Sequence, residues 1–316
     1  MNLYEAALKE KRSPLKKWTH RLWTIVGLST LLYLTWTGPF SAWVFHQTLE
    51  GGFYPWAVKY IGTPFVMIIR AVFFVETLGY MYHRWFQHVS FWTRRAHLIR
   101  KSQRYHWIHH MIIYPIGHAY QKTHDYIAAE KGIAWSWVIP GVLFTGLFVS
   151  QHGWSLGSVV FIGAVAFYAK GIVSNTHSRF HMVDHSWSTN SYFRWLEEIH
   201  LLHHWDQRRN FTIVHPAMDI LFGTYLSPKK HREELRIARE DKQLTASDMM
   251  NWRYLLLEAS PTEYAAFISE AKHHPRSVEK LNMLLEVLAQ RMSAHAEEEE
   301  PRLLHQRASN LLTLCT

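Results

Sequence analysis

Apolar positions gather into four long runs, and the polar stretches between them differ sharply in charge. Residues 22–45 form the first run, 24 residues long. At a helical rise of about 1.5 Å per residue that is enough to cross a bilayer's hydrocarbon core. Residues 57–82 form a second run despite Arg70 and Glu76, and 132–150 and 154–174 form a third and fourth, joined by the turn Gln151-His152-Gly153. Arg70, Glu76 and Lys170 lower the hydropathy of the second and fourth runs, and charges in such positions snorkel to an interface or pair within the bundle. The pattern predicts an all-α integral membrane protein with about four spanning helices in two hairpins. Beyond Ser227-Pro228 the apolar runs stop. Residues 229–316 are charged and read as amphipathic helices, among them 230–241 and 277–297, the second ending in the acidic run at Glu297 to Glu300. This divides the chain into a basic segment 1–20, a membrane unit 21–228 and a helical extension 229–316.

Charge orients the spans. Lys9, Lys11, Arg12, Lys16 and Lys17 precede the first run, and Arg84, Arg94, Arg95, Arg100, Lys101 and Arg104 lie between the second and third. The connections 46–56 and 151–153 carry no Lys or Arg. The positive-inside rule therefore puts both termini and the central loop in the cytoplasm. No small-residue cleavage site follows the first run, which reads as a span rather than a secretory signal. Over 316 residues Lys and Arg exceed Asp and Glu by nine, and this excess serves topology, with no call for nucleic acid. A single Cys315 excludes a disulfide scaffold, a cysteine-ligated zinc and an iron–sulfur cluster. No Gly-rich phosphate or dinucleotide loop is present, which argues against bound NAD, FAD or ATP.

Histidine changes the picture. Of 23 histidines, 15 fall within 83–124 and 177–215, just after the second and fourth runs. They form His83-x4-His88, His106-x2-His109-His110, His177-x3-His181 and His200-x2-His203-His204. On a helix, positions i, i+3 and i+4 span an arc of about 100° and aim three imidazoles at one place. His83 and His88 sit roughly 140° apart on an ideal α-helix and need a bend or a helix end to converge. Chance at this histidine content gives about 0.12 HxxHH matches, and two are present. A lone histidine on a helix face is ordinarily a hydrogen-bonded surface or core residue, but ten in this spacing predict a shared metal site. Imidazole suits Zn, Fe, Cu and Ni. Ten ligands exceed the needs of one ion and fit two, without the carboxylates of soluble di-iron bundles.

The order HxxxxH, HxxHH, HxxxH, HxxHH around two hairpins resembles the membrane fatty acid hydroxylase/sterol desaturase superfamily. So do His83-Arg84, Tyr105-His106-Trp107-Ile108-His109-His110 ahead of Pro115, and Asn210-Phe211 through Pro216, Asp219 and Phe222-Gly223-Thr224-Tyr225. Met218 stands where that family usually has Trp. The likeness covers about 57–227 and leaves the C-terminal extension unmatched. It implies a non-haem di-iron monooxygenase with His83, His88, His106, His109, His110, His177, His181, His200, His203 and His204 as ligands. Two Fe ions, replaceable by Zn in purified protein, and O2 as co-substrate follow from it. So do a hydrophobic, lipid-like substrate and a separate electron donor, a reductase with a ferredoxin or cytochrome. Asp184, His185, His118, His124 and His215 match no ligand position and read as supporting, surface or structural residues. Asp219 reads as fixing a turn or a ligand's N–H.

The expected activity is hydroxylation, or desaturation, of an unactivated C–H bond in a bacterial inner membrane or the endoplasmic reticulum, with the catalytic cap in the cytoplasm. A histidine-rich metal transporter is the alternative from another class, and it would need ligands near mid-bilayer. A catalytically dead scaffold is a third, against which the ten intact histidines speak.

Overall fold

The computed structural model describes residues 57, 61–88, 102–103, 105–107, 109–110, 114, 141–150, 153–182, 185–240, 244, 246–259, 261–272 and 275–316. The expected span at 22–45, the basic segment 1–20, and His118, His124 and Asp184 lie outside them, as does most of the central loop. The described residues are helical, with no strand among them.

The second apolar run becomes α1 (Thr63–Met81), which continues without a break into a π-helical turn, Tyr82–Gln87. The fourth becomes α3 (Leu156–Ala166), continued by a π-helical stretch, Phe167–Ser174, and by α4 (Asn175–Arg179). These two continuous rods, 25 and 24 residues long, are long and apolar enough to cross a membrane. Of the third run the described part is the ten-residue helix Gly141–Ser150, α2. It turns into α3 at Gly153, whose φ of +65° suits a residue without Cβ. Ser155 caps α3 by accepting the Ser158 N–H at 3.2 Å.

Met67, Ala71, Phe74 and Val75 of α1 pack with Phe148 of α2 and Phe161 of α3. Phe148 stacks on Phe161 at 4.2 Å, and Phe74 meets Phe144 edge-on at 5.7 Å. Phe65, Ile68, Ile69, Val142, Leu143, Val159 and Phe167 of these helices are exposed, large apolar side chains that a water-facing helix seldom carries in such number. Glu76 does not face out. It accepts the Tyr168 hydroxyl at 2.8 Å, an intramolecular pairing between the two rods.

Beyond the rods, α5 (Ser191–Trp205) starts at Asn190, whose side chain caps the Phe193 N–H at 3.0 Å. A loop carrying the short helix α6 (Ala217–Leu221) follows, then α7 (Arg232–Glu240). The remainder forms α8 (Ala246–Leu257), α9 (Pro261–Ala271), α10 (Pro275–Ala294) and α11 (Glu299–Cys315). These four close on a leucine-rich core in which Leu281, Leu284, Leu288 and Leu311 are fully buried. A buried Lys280–Asp248 pair at 3.7 Å and the Arg253–Glu300 pair at 2.6 Å join helices distant in sequence. That core also takes in Tyr105, Trp107 and Tyr114 from the HxxHH segment.

Candidate metal centre

All ten predicted ligand histidines lie together, and eight of them are buried. Each cluster arrives on a different element. His83 and His88 come from the end of the first rod, where the π-helical turn makes residues five apart near neighbours. The bend their spacing demands is this wider turn, and it brings the two ring centroids within 5.0 Å. His177 lies on α4 and His181 just beyond it, after the π-helical stretch of the second rod. α5 presents His200, His203 and His204 on one face.

The donor atoms form overlapping groups. His83, His88, His106, His110 and His203 bring five ligand nitrogens within 4.8 Å of one another, and His109, His177, His181 and His200 bring four. His204 joins His109 and His110 in a third set. Its Nε2 lies 3.1 Å from that of His200, which in turn lies 3.1 Å from that of His181. The first group is thus His83, His88, His106, His110 and His203, and the second His109, His177, His181 and His200, with which His204 is counted through its contact to His200. They meet where the His110 and His204 rings approach to 4.1 Å.

The spacing discriminates between uses. In the first group the Nε2 atoms of His83 and His106 are 3.0 Å apart, His106 and His88 2.7 Å, His106 and His110 3.0 Å, and His88 and His203 3.2 Å. Metal–nitrogen bonds of about 2.1 Å put adjacent ligands of an octahedral ion about 3.0 Å apart. Pairwise N–H···N bonds cannot serve a ring nitrogen such as His106 Nε2, which has three such neighbours and at most one hydrogen. A cation satisfies all of them at once.

Protonation agrees. Burial above all, and then the neighbouring imidazoles, holds His88, His106, His110, His200 and His204 well below the ordinary histidine value. Burial pushes His109 down to about 3. It takes His203 to about 4, although the Arg209 carbonyl pulls the other way. Neutral imidazoles with inward lone pairs are the form a metal needs. The residues present fit metal ions.

The outer nitrogens are tethered to backbone. His83 Nδ1 lies 2.5 Å from the Phe211 carbonyl oxygen and His203 Nδ1 2.6 Å from that of Arg209. Each carbonyl accepts the Nδ1–H and leaves Nε2 as the inward donor. Both acceptors flank Asn210, which has φ +52° and is fully buried. Its side chain donates to the carbonyls of Ile199 (3.1 Å) and Leu226 (3.2 Å) and accepts the Leu226 N–H at 2.7 Å. Asp219 ties the next step of the loop. Its carboxylate accepts N–H from Phe211 (2.8 Å) and Thr212 (2.9 Å) and hydroxyls from Thr212 (2.5 Å) and Thr224 (2.7 Å). Asp219 thus fixes a turn, and through the Phe211 carbonyl a ligand. Met218, where a Trp was expected, is buried with Tyr80, Trp85 and Phe211.

No family model matches the chain, and no curated protein or solved structure does. The histidine clusters and the two apolar rods are consistent with a histidine-box metal site on their own geometry.

His185 and His215 stand apart from the ligand groups. His215 is exposed and its Nδ1 accepts the Ala217 N–H at 3.1 Å, and His185 does the same for Trp187 at 3.1 Å. Tyr114, which carried no pattern in the sequence, touches the centre directly. Its carbonyl accepts the His204 Nδ1–H at 2.9 Å and its ring stacks on His181. Asn210 was legible only as part of a motif, and its left-handed backbone was not.

Replacing Asp219 with Ala strips four buried donors of their acceptor, a loss of about 3–5 kcal/mol. It should weaken metal binding at the first group about 10–100-fold, read by competition with a coloured chelator. Asp219→Asn, which keeps one acceptor oxygen, should fall between. Unchanged affinity in Asp219→Ala would detach the loop from the ligands.

The pH dependence of the metal-free protein follows from the same burial. Unfolded histidines take up protons below about pH 6.5, while the folded site refuses them until about 4 at His203 and about 3 at His109. Stability is therefore complete above about pH 6.5 and declines as the pH falls through this window. Thermal unfolding at stepped pH should show a flat midpoint above neutrality and a steady fall in acid. A midpoint that rises on acidification would contradict the buried neutral cluster.

Proposed function

We propose that this protein is a membrane-embedded, O2-dependent di-iron monooxygenase that hydroxylates, or desaturates, an unactivated C–H bond of a lipid-like substrate. The observation that carries the reading is the gathering of ten histidines into adjoining groups at one end of two apolar rods. His83, His88, His106, His110 and His203 would hold one iron, and His109, His177, His181, His200 and His204 the other. When bound, such a pair supplies O2 activation with externally delivered electrons.

The chain's own residues do the rest. Buried imidazoles stay neutral, so the ions keep a high positive charge, unlike those in carboxylate-rich sites. Nδ1–H bonds to the Arg209, Phe211 and Tyr114 carbonyls hold the ligand rings in one tautomer and orientation. Close packing of Tyr80, Trp85, Phe211 and Phe222 beside the first group excludes water from that side. An apolar chain in the bilayer reaches this end of the rods without crossing water. Both termini and the cap face the cytoplasm in a four-span arrangement, where a reductase with a ferredoxin or cytochrome can deliver electrons. Metal transport fits less well, because it needs donors at mid-bilayer. There the described rods offer Arg70, Glu76 and Lys170, with Glu76 engaged by Tyr168.

Protein purified anaerobically from iron-replete cells should contain two irons per chain. With a reductase system and a membrane lipid extract it should consume O2 and yield a lipid that has gained one oxygen or lost two hydrogens. His109→Ala and His203→Ala, one from each group, should each abolish turnover. O2 uptake that persists in both would remove the centre from the reaction. Topology is checked separately: a reporter at Gly51 should lie outside and one after Thr316 inside, and matching sides would sink the four-span arrangement.

A further inference from the structure

Tyr114 stands between two parts of the molecule. Toward the metal centre its ring lies flat on His181, with centroids 3.8 Å apart and planes 11° from parallel. It meets His109 edge-on at 5.0 Å, and its carbonyl oxygen accepts the His204 Nδ1–H at 2.9 Å. All three partners belong to the second histidine group. On its other side the same residue is buried in the apolar core built by α8 to α11. Two further contacts bind that unit to the cap. Tyr254 of α8 meets Trp107 edge-on at 4.7 Å, and Asn251 donates to the Gln207 side-chain oxygen at 2.7 Å, just past the end of α5.

The two groups are therefore anchored differently. In the first, the Nδ1–H groups of His83 and His203 end on carbonyls of the Asn210 loop. In the second, two of the five rings, His181 and His204, are set by one residue whose own side chain is seated in the C-terminal core. A stacked neighbour fixes the plane of His181 about its terminal torsion, which is otherwise broad. The carbonyl fixes the tautomer of His204.

We propose that residues 244–316 are a positioning element for the second histidine group and act on it through Tyr114. This rests on reading the ten histidines as a two-metal site. It gives the extension a task in the metal centre itself. Loosening the C-terminal core frees Tyr114, and two ligands of one ion lose their orientation while the other ion keeps all of its own.

The test is a cobalt(II) titration of the full-length protein in detergent, followed by visible absorption and by bound metal after gel filtration. The wild type should take up two ions. Tyr114→Leu removes the stacked ring, and it should bind the first ion as the wild type does and the second about 10–100-fold more weakly. Tyr114→Phe keeps the ring and should restore the second ion. Leu284→Ala, fully buried in the C-terminal core, should weaken the same ion without touching a ligand, and it carries the test if Tyr114→Leu does not fold. Assignment to a group comes from double substitutions. Tyr114→Leu should add nothing to His181→Ala but should weaken the ion that remains in His83→Ala. Two ions bound with wild-type affinity in Tyr114→Leu or Leu284→Ala would overturn the proposal alone. Fewer than two in the wild type would overturn the two-metal reading and the proposal with it.

Discussion

Ten imidazoles share one buried space, and in the first group their inward nitrogens stand as close as 2.7 Å to one another. Everything else in the structure answers to that crowding. Burial keeps the rings neutral, and Nδ1–H bonds to backbone carbonyls leave the Nε2 lone pairs of His83, His203 and His204 facing inward. Lone pairs in such contact repel unless a cation lies among them. Metal held by such a cluster would make its binding free energy part of the free energy of folding.

Delivering ten rings to one place constrains the helices. An α-helix aims residues three and four apart at a common target, which suits α5 with His200, His203 and His204. It does not suit His83 and His88. The first rod meets the demand by widening into a π-helical turn over Tyr82–Gln87, and the second widens over Phe167–Ser174 just before His177 and His181. Wide turns of this kind are rare in helices and are found frequently at functional sites. Both stand where an apolar rod hands over to the metal centre.

Orientation of the rings is the business of residues outside the histidine clusters. The loop after α5 is knotted by Asn210 and Asp219, and its carbonyls reach back to His83 and His203. Tyr114 performs the matching service for His181 and His204. One anchor is a short polar loop held by its own hydrogen bonds, the other a residue whose seat is made by a separate helical core. The two halves of the centre should therefore respond to different parts of the chain.

The sequence by itself determined which histidines gather and that the described chain is helical with two long apolar helices. Histidine spacing at three, four and five residues is a local property, and it reports which side of a helix carries donors. Length and hydropathy likewise reported the two described rods, Thr63–Gln87 and Leu156–Arg179, which overlap the runs 57–82 and 154–174 that predict them. Asp219 was also legible as a turn-former from its motif. The pairing of the clusters was decided only by tertiary structure. His106 and His110 join His83, His88 and His203, while their neighbour His109 turns to His177 and His181, a partition that depends on where three separate elements cross. The roles of Tyr114 and of the C-terminal extension belong to the same class. A carbonyl that holds a ligand carries no side-chain signature, and an apolar core that takes in a distant tyrosine leaves no period in the sequence. Local geometry repeats along a chain and can be read from it, whereas contacts between distant segments exist only once the chain has closed on itself.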